Sequence, residues 1–158
     1  MRPIFLVAVL LLVACTPQAS ESGQPGPVPE LDGHFGFGEL TVVGDDGTAH
    51  EFRVYIATEF EQQRRGLMFV RKLPADVGML FVYEDEGTRS MWMKNTYVSL
   101  DMVFARADGT VTNVVRDTVP QTLDSHISTA PARYVLELNA GTARKLGIGK
   151  RSRVVWND

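Results

Sequence analysis

The chain has 158 residues, with 16 Lys+Arg against 19 Asp+Glu and a formal net charge of −3. This acidic balance lacks the concentrated basic footprint of a nucleic-acid binder and argues against nucleic acid as a partner. A single cysteine, Cys15, excludes an intramolecular disulfide and a cysteine-type zinc site, so the core must hold itself together by burial alone.

The first residues, MRPIFLVAVLLLVAC, have one base, Arg2, ahead of an 11-residue apolar run from Ile4 to Ala14. That run is too short to span a bilayer of about 30 Å as a helix, and residues 1–14 read as a secretory signal peptide. Leu12-Val13-Ala14-Cys15 resembles a bacterial lipobox, which makes Cys15 the lipidated N-terminus of the mature chain. The expectation is an exported, lipid-anchored protein of the bacterial cell envelope that meets the membrane through the lipid on Cys15 and faces the periplasm. Thr16 stands where an aspartate is associated with inner-membrane retention, so the outer membrane is favoured. Residues 15–36 hold four of the eight prolines and no apolar periodicity, which predicts a disordered tether. One domain is then expected over 37–158.

Within it, 39–43 and 50–57 form a predicted hairpin around the turn cluster Gly44-Asp45-Asp46-Gly47. In the second strand Phe52, Val54 and Ile56 share a face opposite Glu51, Arg53 and Tyr55, a half-buried pattern. Thr58 and Glu61 have the spacing of a capping box, and Gly66 suits a left-handed stop, giving a short helix over 59–65. Further strands are expected at 78–83, 90–94, 99–105, 110–116, 133–139 and 152–156, with a helical turn or two at 141–146. Asp108-Gly109 signals a hairpin turn, and 117–132 reads as an irregular loop. Eight short strands with one or two short helices point to a mainly β fold, an antiparallel sandwich or jelly-roll-like barrel.

Motifs for serine hydrolases, zinc proteases, thiol redox centres and phosphate loops are absent, and no cofactor or metal is implied. Met68, Met79, Met91, Met93 and Met102 cluster in the middle of the chain. Thioethers are soft ligands that suit Cu(I), whereas methionine also fills irregular cores. Charged residues interrupt the apolar strands at two places. Asp101 shares a face with Val103, and Glu137 shares one with Val135. Such carboxylates face water, pair with a cation such as Lys94, Arg64 or Arg65, or belong to a ligand site. Trp92, Lys94 and Asn95 with Arg64 or Arg65, Asp101 and Glu137 are the candidate ligand-binding residues. Trp92 supplies a stacking face, Lys94 a charge, and Asn95 both a donor and an acceptor. A saccharide-like ligand or an envelope protein is the expected partner. The alternatives are a hydrolase with Asp101 and Glu137 as an acid–base pair and a methionine-based copper protein.

Several spaced blocks carry a resemblance to a known family. They are Thr58 with Arg65-Gly66-Leu67-Met68, Leu73-Pro74, Gly78-Met79-Leu80-Phe81, Trp92-Met93-Lys94-Asn95-Thr96, Leu100-Asp101, Phe104, and Tyr134-Val135-Leu136-Glu137-Leu138 with Ala140-Gly141. In this order the chain resembles the domain-of-unknown-function 192 family over roughly 37–156. Met91 stands where that family usually has Phe, Ser99 where Pro is common, and Val70 where a basic residue is frequent. The resemblance implies a compact, mainly β, jelly-roll-like fold, commonly exported in bacteria, with no established activity or cofactor.

Overall fold

A computed structural model of the chain describes residues 26–156. The expected signal peptide (1–14), Cys15 and the first part of the expected tether lie outside the described residues. The strands are β1 (Gly36–Val43), β2 (Ala49–Ala57), β3 (Val77–Gly87), β4 (Ser90–Met91), β5 (Leu100–Ala105), β6 (Val111–Val115), β7 (His126–Ile127), β8 (Ala132–Asn139) and β9 (Arg153–Val155). Two short helices, α1 (Phe60–Arg65) and α2 (Thr142–Lys145), complete the regular structure.

Seven strands form one sheet in the order β6-β5-β8-β3-β2-β1-β9, and β4 pairs with β7 separately. A bridge between Thr110 and Arg153 brings the two edges of the large sheet together, closing it into a barrel. Closure removes the exposed edges that an open sheet would leave. Gly109 makes the close approach at this seam possible. Its φ is +84°, and a Cβ there would collide with the Val154 carbonyl. The pairing is antiparallel except between β2 and β3, which run parallel. The chain returns between those two through α1 and residues 66–76, as a parallel pair requires.

Burial divides into two layers. Leu40, Val42, Phe52, Val54, Leu136 and Val154 fill the barrel interior. A second core lies on the outer face of the same strands, where Tyr55, Met79, Phe81, Met102 and Val135 pack under a cover that includes Leu31, Leu67, Val70 and Met93. This second layer corrects the half-buried reading of β2: Tyr55, assigned by alternation to the polar face, is 1% exposed. Met79, Met91, Met93 and Met102 are buried members of this outer core, the gap-filling role that suits an unbranched thioether.

Three local expectations are corrected. The segment 26–35 is not free tether. Val28 and Leu31 are buried, Pro29–Leu31 forms a single 3-10 turn, and the Tyr55 hydroxyl accepts from the Val28 amide at 2.8 Å and donates to the Val28 carbonyl at 3.2 Å. Two apolar side chains three residues apart suffice to dock this segment in a groove that the sheet alone leaves open. The α1 cap is shifted by one residue: Gln62, not Glu61, reaches back, its Oε1 accepting from the Thr58 and Glu59 amides at 3.0 Å each. The strand predicted over 90–94 stops at Met91, and its partner β7 lies inside the presumed irregular loop 117–132.

Candidate functional site

The outer layer positions the charged residues that interrupt the strands. Helix α1 presents Arg64 and Arg65 in its last turn. Gln63 fixes this helix to the sheet, its Nε2 donating to the Val82 carbonyl at 2.8 Å. Gly66, at φ +48°, ends it; a Cβ there would stand 3.1 Å from the Phe81 ring. The chain can therefore pass close over the sheet and bury Leu67.

Past β4 the backbone folds into a tight turn. The Thr96 amide donates to the Met93 carbonyl at 3.1 Å, and Asn95 lies at φ +55°. This turn places Trp92, Lys94 and Asn95 outward while Met93 is buried. Opposite them, Phe69 is also in the left-handed region at φ +69°, and its amide donates to the Asn95 carbonyl at 2.9 Å. A bulky aromatic at positive φ is strained by about 1–3 kcal/mol, and such strain clusters at functional sites.

Between these segments runs a groove of about 600 Å³, within the range of small-molecule sites. Its walls are α1, the 68–69 and 92–95 segments, and Gly33, His34 and Phe35 of the docked N-terminal stretch. Gln62 ties that stretch to α1, its Nε2 donating to the His34 carbonyl at 2.9 Å, and Arg65 Nη2 donates to the Glu30 carbonyl at 3.1 Å. The groove continues into a pit of about 20 Å³ against the sheet, sharing Arg64, Arg65, Met68, Trp92 and Lys94 and bordered by Glu137. The pit has room for about one water.

Charge and exposure are unevenly distributed. Trp92 is 44% and Phe69 45% exposed. The Lys94 ammonium sits 5.1 Å from the Trp92 ring centroid, a cation–π distance. Arg64 is paired with Glu61 at 3.0 Å. No carboxylate among the described residues pairs with Lys94 or Arg65, and the buried Arg65 Nε has no hydrogen-bond partner. Glu137, on β8 between Met79 of β3 and Met102 of β5, is 4% exposed. Desolvation pushes its carboxyl up to about 8, so near neutral pH it is an un-ionised acid able to donate one hydrogen bond and accept others.

Six of the seven residues singled out from the sequence thus converge here: Arg64, Arg65, Trp92, Lys94, Asn95 and Glu137. Asp101 does not. It is fully buried on the opposite face of the sheet, beside Leu138 in register, and its carboxylate accepts from the Asp117 amide at 2.9 Å and the Ala143 amide at 2.8 Å. Its partners are backbone amides at the start of α2 and in the 117 turn, not Lys94 or an arginine. The alternative reading of Asp101 and Glu137 as an acid–base pair does not fit this arrangement. Glu137 faces Met102 across the strands while Asp101 faces Leu138, and successive side chains alternate between faces, so one scissile bond cannot lie between them.

Sequence reasoning missed Phe69, Met68 and the His34–Phe35 wall. The apolar residues Val28, Leu31, Phe35 and Phe37 among the prolines were the available signal for that wall.

Comparison with known proteins places this architecture among uncharacterised relatives. The family model DUF192, described as "Uncharacterized ACR", matches residues 41–156. A crystal structure from Sinorhizobium meliloti 1021, of a protein named as a proposed transcription regulator, is 37% identical with a TM-score of 0.74, covering 76% of this chain and 93% of that one. A protein of unknown function from Novosphingobium aromaticivorans DSM 12444 is 33% identical with a TM-score of 0.77, covering 89% of this chain and 99% of that one. No curated protein matches the chain.

Proposed function

We propose that this chain, which belongs to the DUF192 family, is a non-catalytic binding module that takes a small polar, saccharide-like ligand in the groove beside Trp92. One observation carries this reading: Trp92, 44% exposed, forms a wall of a groove that also gathers Arg65, Lys94 and Asn95, with Glu137 bordering the pit beneath. Aromatic faces flanked by directional polar groups suit sugar rings, which present an apolar C–H face and a rim of hydroxyls. Glu137, un-ionised near neutral pH, can donate to a water held in the pit beneath the groove, where a carboxylate would only accept. The alternative occupant of the same surface is a protein of the cell envelope.

The module acts at the bacterial envelope. The signal-like N-terminus and the lipobox at Cys15 support export and lipid anchoring, with the docked segment 26–35 joining the anchor region to the groove wall. Metabolic labelling with radioactive palmitate tests the anchor: Cys15→Ser should abolish incorporation, and undiminished labelling removes the lipid from the reading. For the groove, the protein is purified from its own host and its co-purified small molecules are identified by mass spectrometry. A carbohydrate retained by the native chain and lost from Trp92→Ala supports the reading. Identical profiles for the two, with both chains folded, refute it.

A further inference from the structure

The groove holds positive charge that the protein itself leaves uncompensated. Arg64 is paired with Glu61 at 3.0 Å. Arg65 gives one Nη2 hydrogen bond to a neutral carbonyl, that of Glu30, while its buried Nε has no partner. Lys94 contacts only the face of Trp92 among charge-stabilising groups of the described residues. Glu137 borders the pit below them and forms no ion pair with either cation. Arg65 and Lys94 both line the groove without a carboxylate partner among the described residues, so an anion entering it meets charge that the protein does not itself neutralise. A guanidinium edge matches the two oxygens of an oxyanion. The ammonium on the far side of the groove supplies a second, less directional charge beside the indole face.

We propose that the ligand of this groove is an acidic carbohydrate, its carboxylate held between Arg65 and Lys94 and its sugar ring lying on Trp92. This rests on the carbohydrate-binding reading above and narrows it to a charge class. The carboxylate accepts from the part of the Arg65 guanidinium that lines the groove, a charge that no carboxylate of the described residues neutralises. The ring then covers an aromatic face that is otherwise wet. Neutral sugars retain the stacking contact and lose the ionic one.

The test is calorimetric titration of the full-length protein with short oligogalacturonates and oligomannuronates, and with uncharged oligogalactose and oligomannose of equal length. The acidic series should bind about tenfold or more tightly than the neutral one, roughly the worth of a charge-assisted hydrogen bond. The preference should shrink between about 0.1 M and 1 M salt as the charges are screened. Lys94 is exposed and anchors no backbone, so Lys94→Met reports on charge without unfolding the chain and should bring the acidic series most of the way to the neutral one. Arg65→Lys, which keeps the charge but removes the planar guanidinium fork, should lose affinity for the acidic series only. Equal binding of both series, abolished by Trp92→Ala, overturns the charge inference and leaves the carbohydrate reading standing. Inorganic phosphate competing as well as the uronates also overturns it, because the site then needs no sugar ring. Binding of neither series overturns both.

Discussion

Replacing Glu137 with glutamine should stabilise the protein progressively as pH rises. The carboxyl sits 4% exposed among Met79, Met102 and other apolar side chains, and burial moves it from 4.5 to about 8. That difference corresponds to about 5 kcal/mol between the protonated and ionised forms. The unfolded chain releases this proton near 4.5 and the folded chain holds it until about 8. Between those values the native state binds more protons than the unfolded one, so stability falls with pH. The contribution is fully present below about 4.5, is reduced by about 3 kcal/mol at pH 7, and is lost above about 8. Glutamine has similar shape and does not titrate. Urea unfolding of both proteins at pH 5 and pH 8.5 should therefore show the variant gaining about 4 kcal/mol on the parent between the two conditions. Every other titrating group is common to both chains and cancels, as does any constant packing cost of the amide. A difference that stays within about 0.5 kcal/mol across the range would mean that Glu137 is ionised in the native state, and would refute its assignment as an un-ionised donor in the pit.

Three further outcomes follow from the packing. Asp101→Ala strands the buried Ala143 amide and the part-buried Asp117 amide, and should cost about 2–4 kcal/mol in denaturant unfolding; a loss under about 1 kcal/mol would mean that water replaces the carboxylate. Leu31→Ala removes a fully buried side chain from the outer core and should cost about 2–5 kcal/mol; no change in the unfolding midpoint would return 26–35 to the status of a loose tether. Gly66→Ala meets both the positive φ and the Phe81 ring. It should destabilise by about 1–3 kcal/mol, and a stabilised variant in thermal unfolding would contradict the close approach of α1 to β3.

The two hairpins were legible because each needs only local chemistry. Alternating apolar residues in 50–57 and the Asp108-Gly109 turn specify strand direction and return without reference to the rest of the chain. The mainly β class follows from the number and length of such runs. The polar residues of the groove stood out because charge in an otherwise apolar run requires a reason: Lys94-Asn95 marks a turn leaving the sheet, and Glu137 marks a strand position that touches a cavity. The same pattern misled at Asp101. Its spacing is indistinguishable from that of Glu137 in sequence, yet its reason is two backbone amides on the other side of the sheet.

The amino-acid order by itself determined the approximate place of eight of the nine described strands and of both short helices, and which polar residues would be costly to bury, because these depend on neighbours a few residues apart. Which face of each strand those residues meet was decided only by tertiary structure. Closing the sheet into a barrel gives every strand an inside and an outside, and the second apolar layer on the outside makes both faces of the central strands β3, β5 and β8 dry, so alternation there no longer says which side is wet. The groove exists for the same reason. Arg65, Trp92, Lys94 and His34 come from segments far apart in the chain, and what gathers them is the cover that the outer core needs in order to leave water.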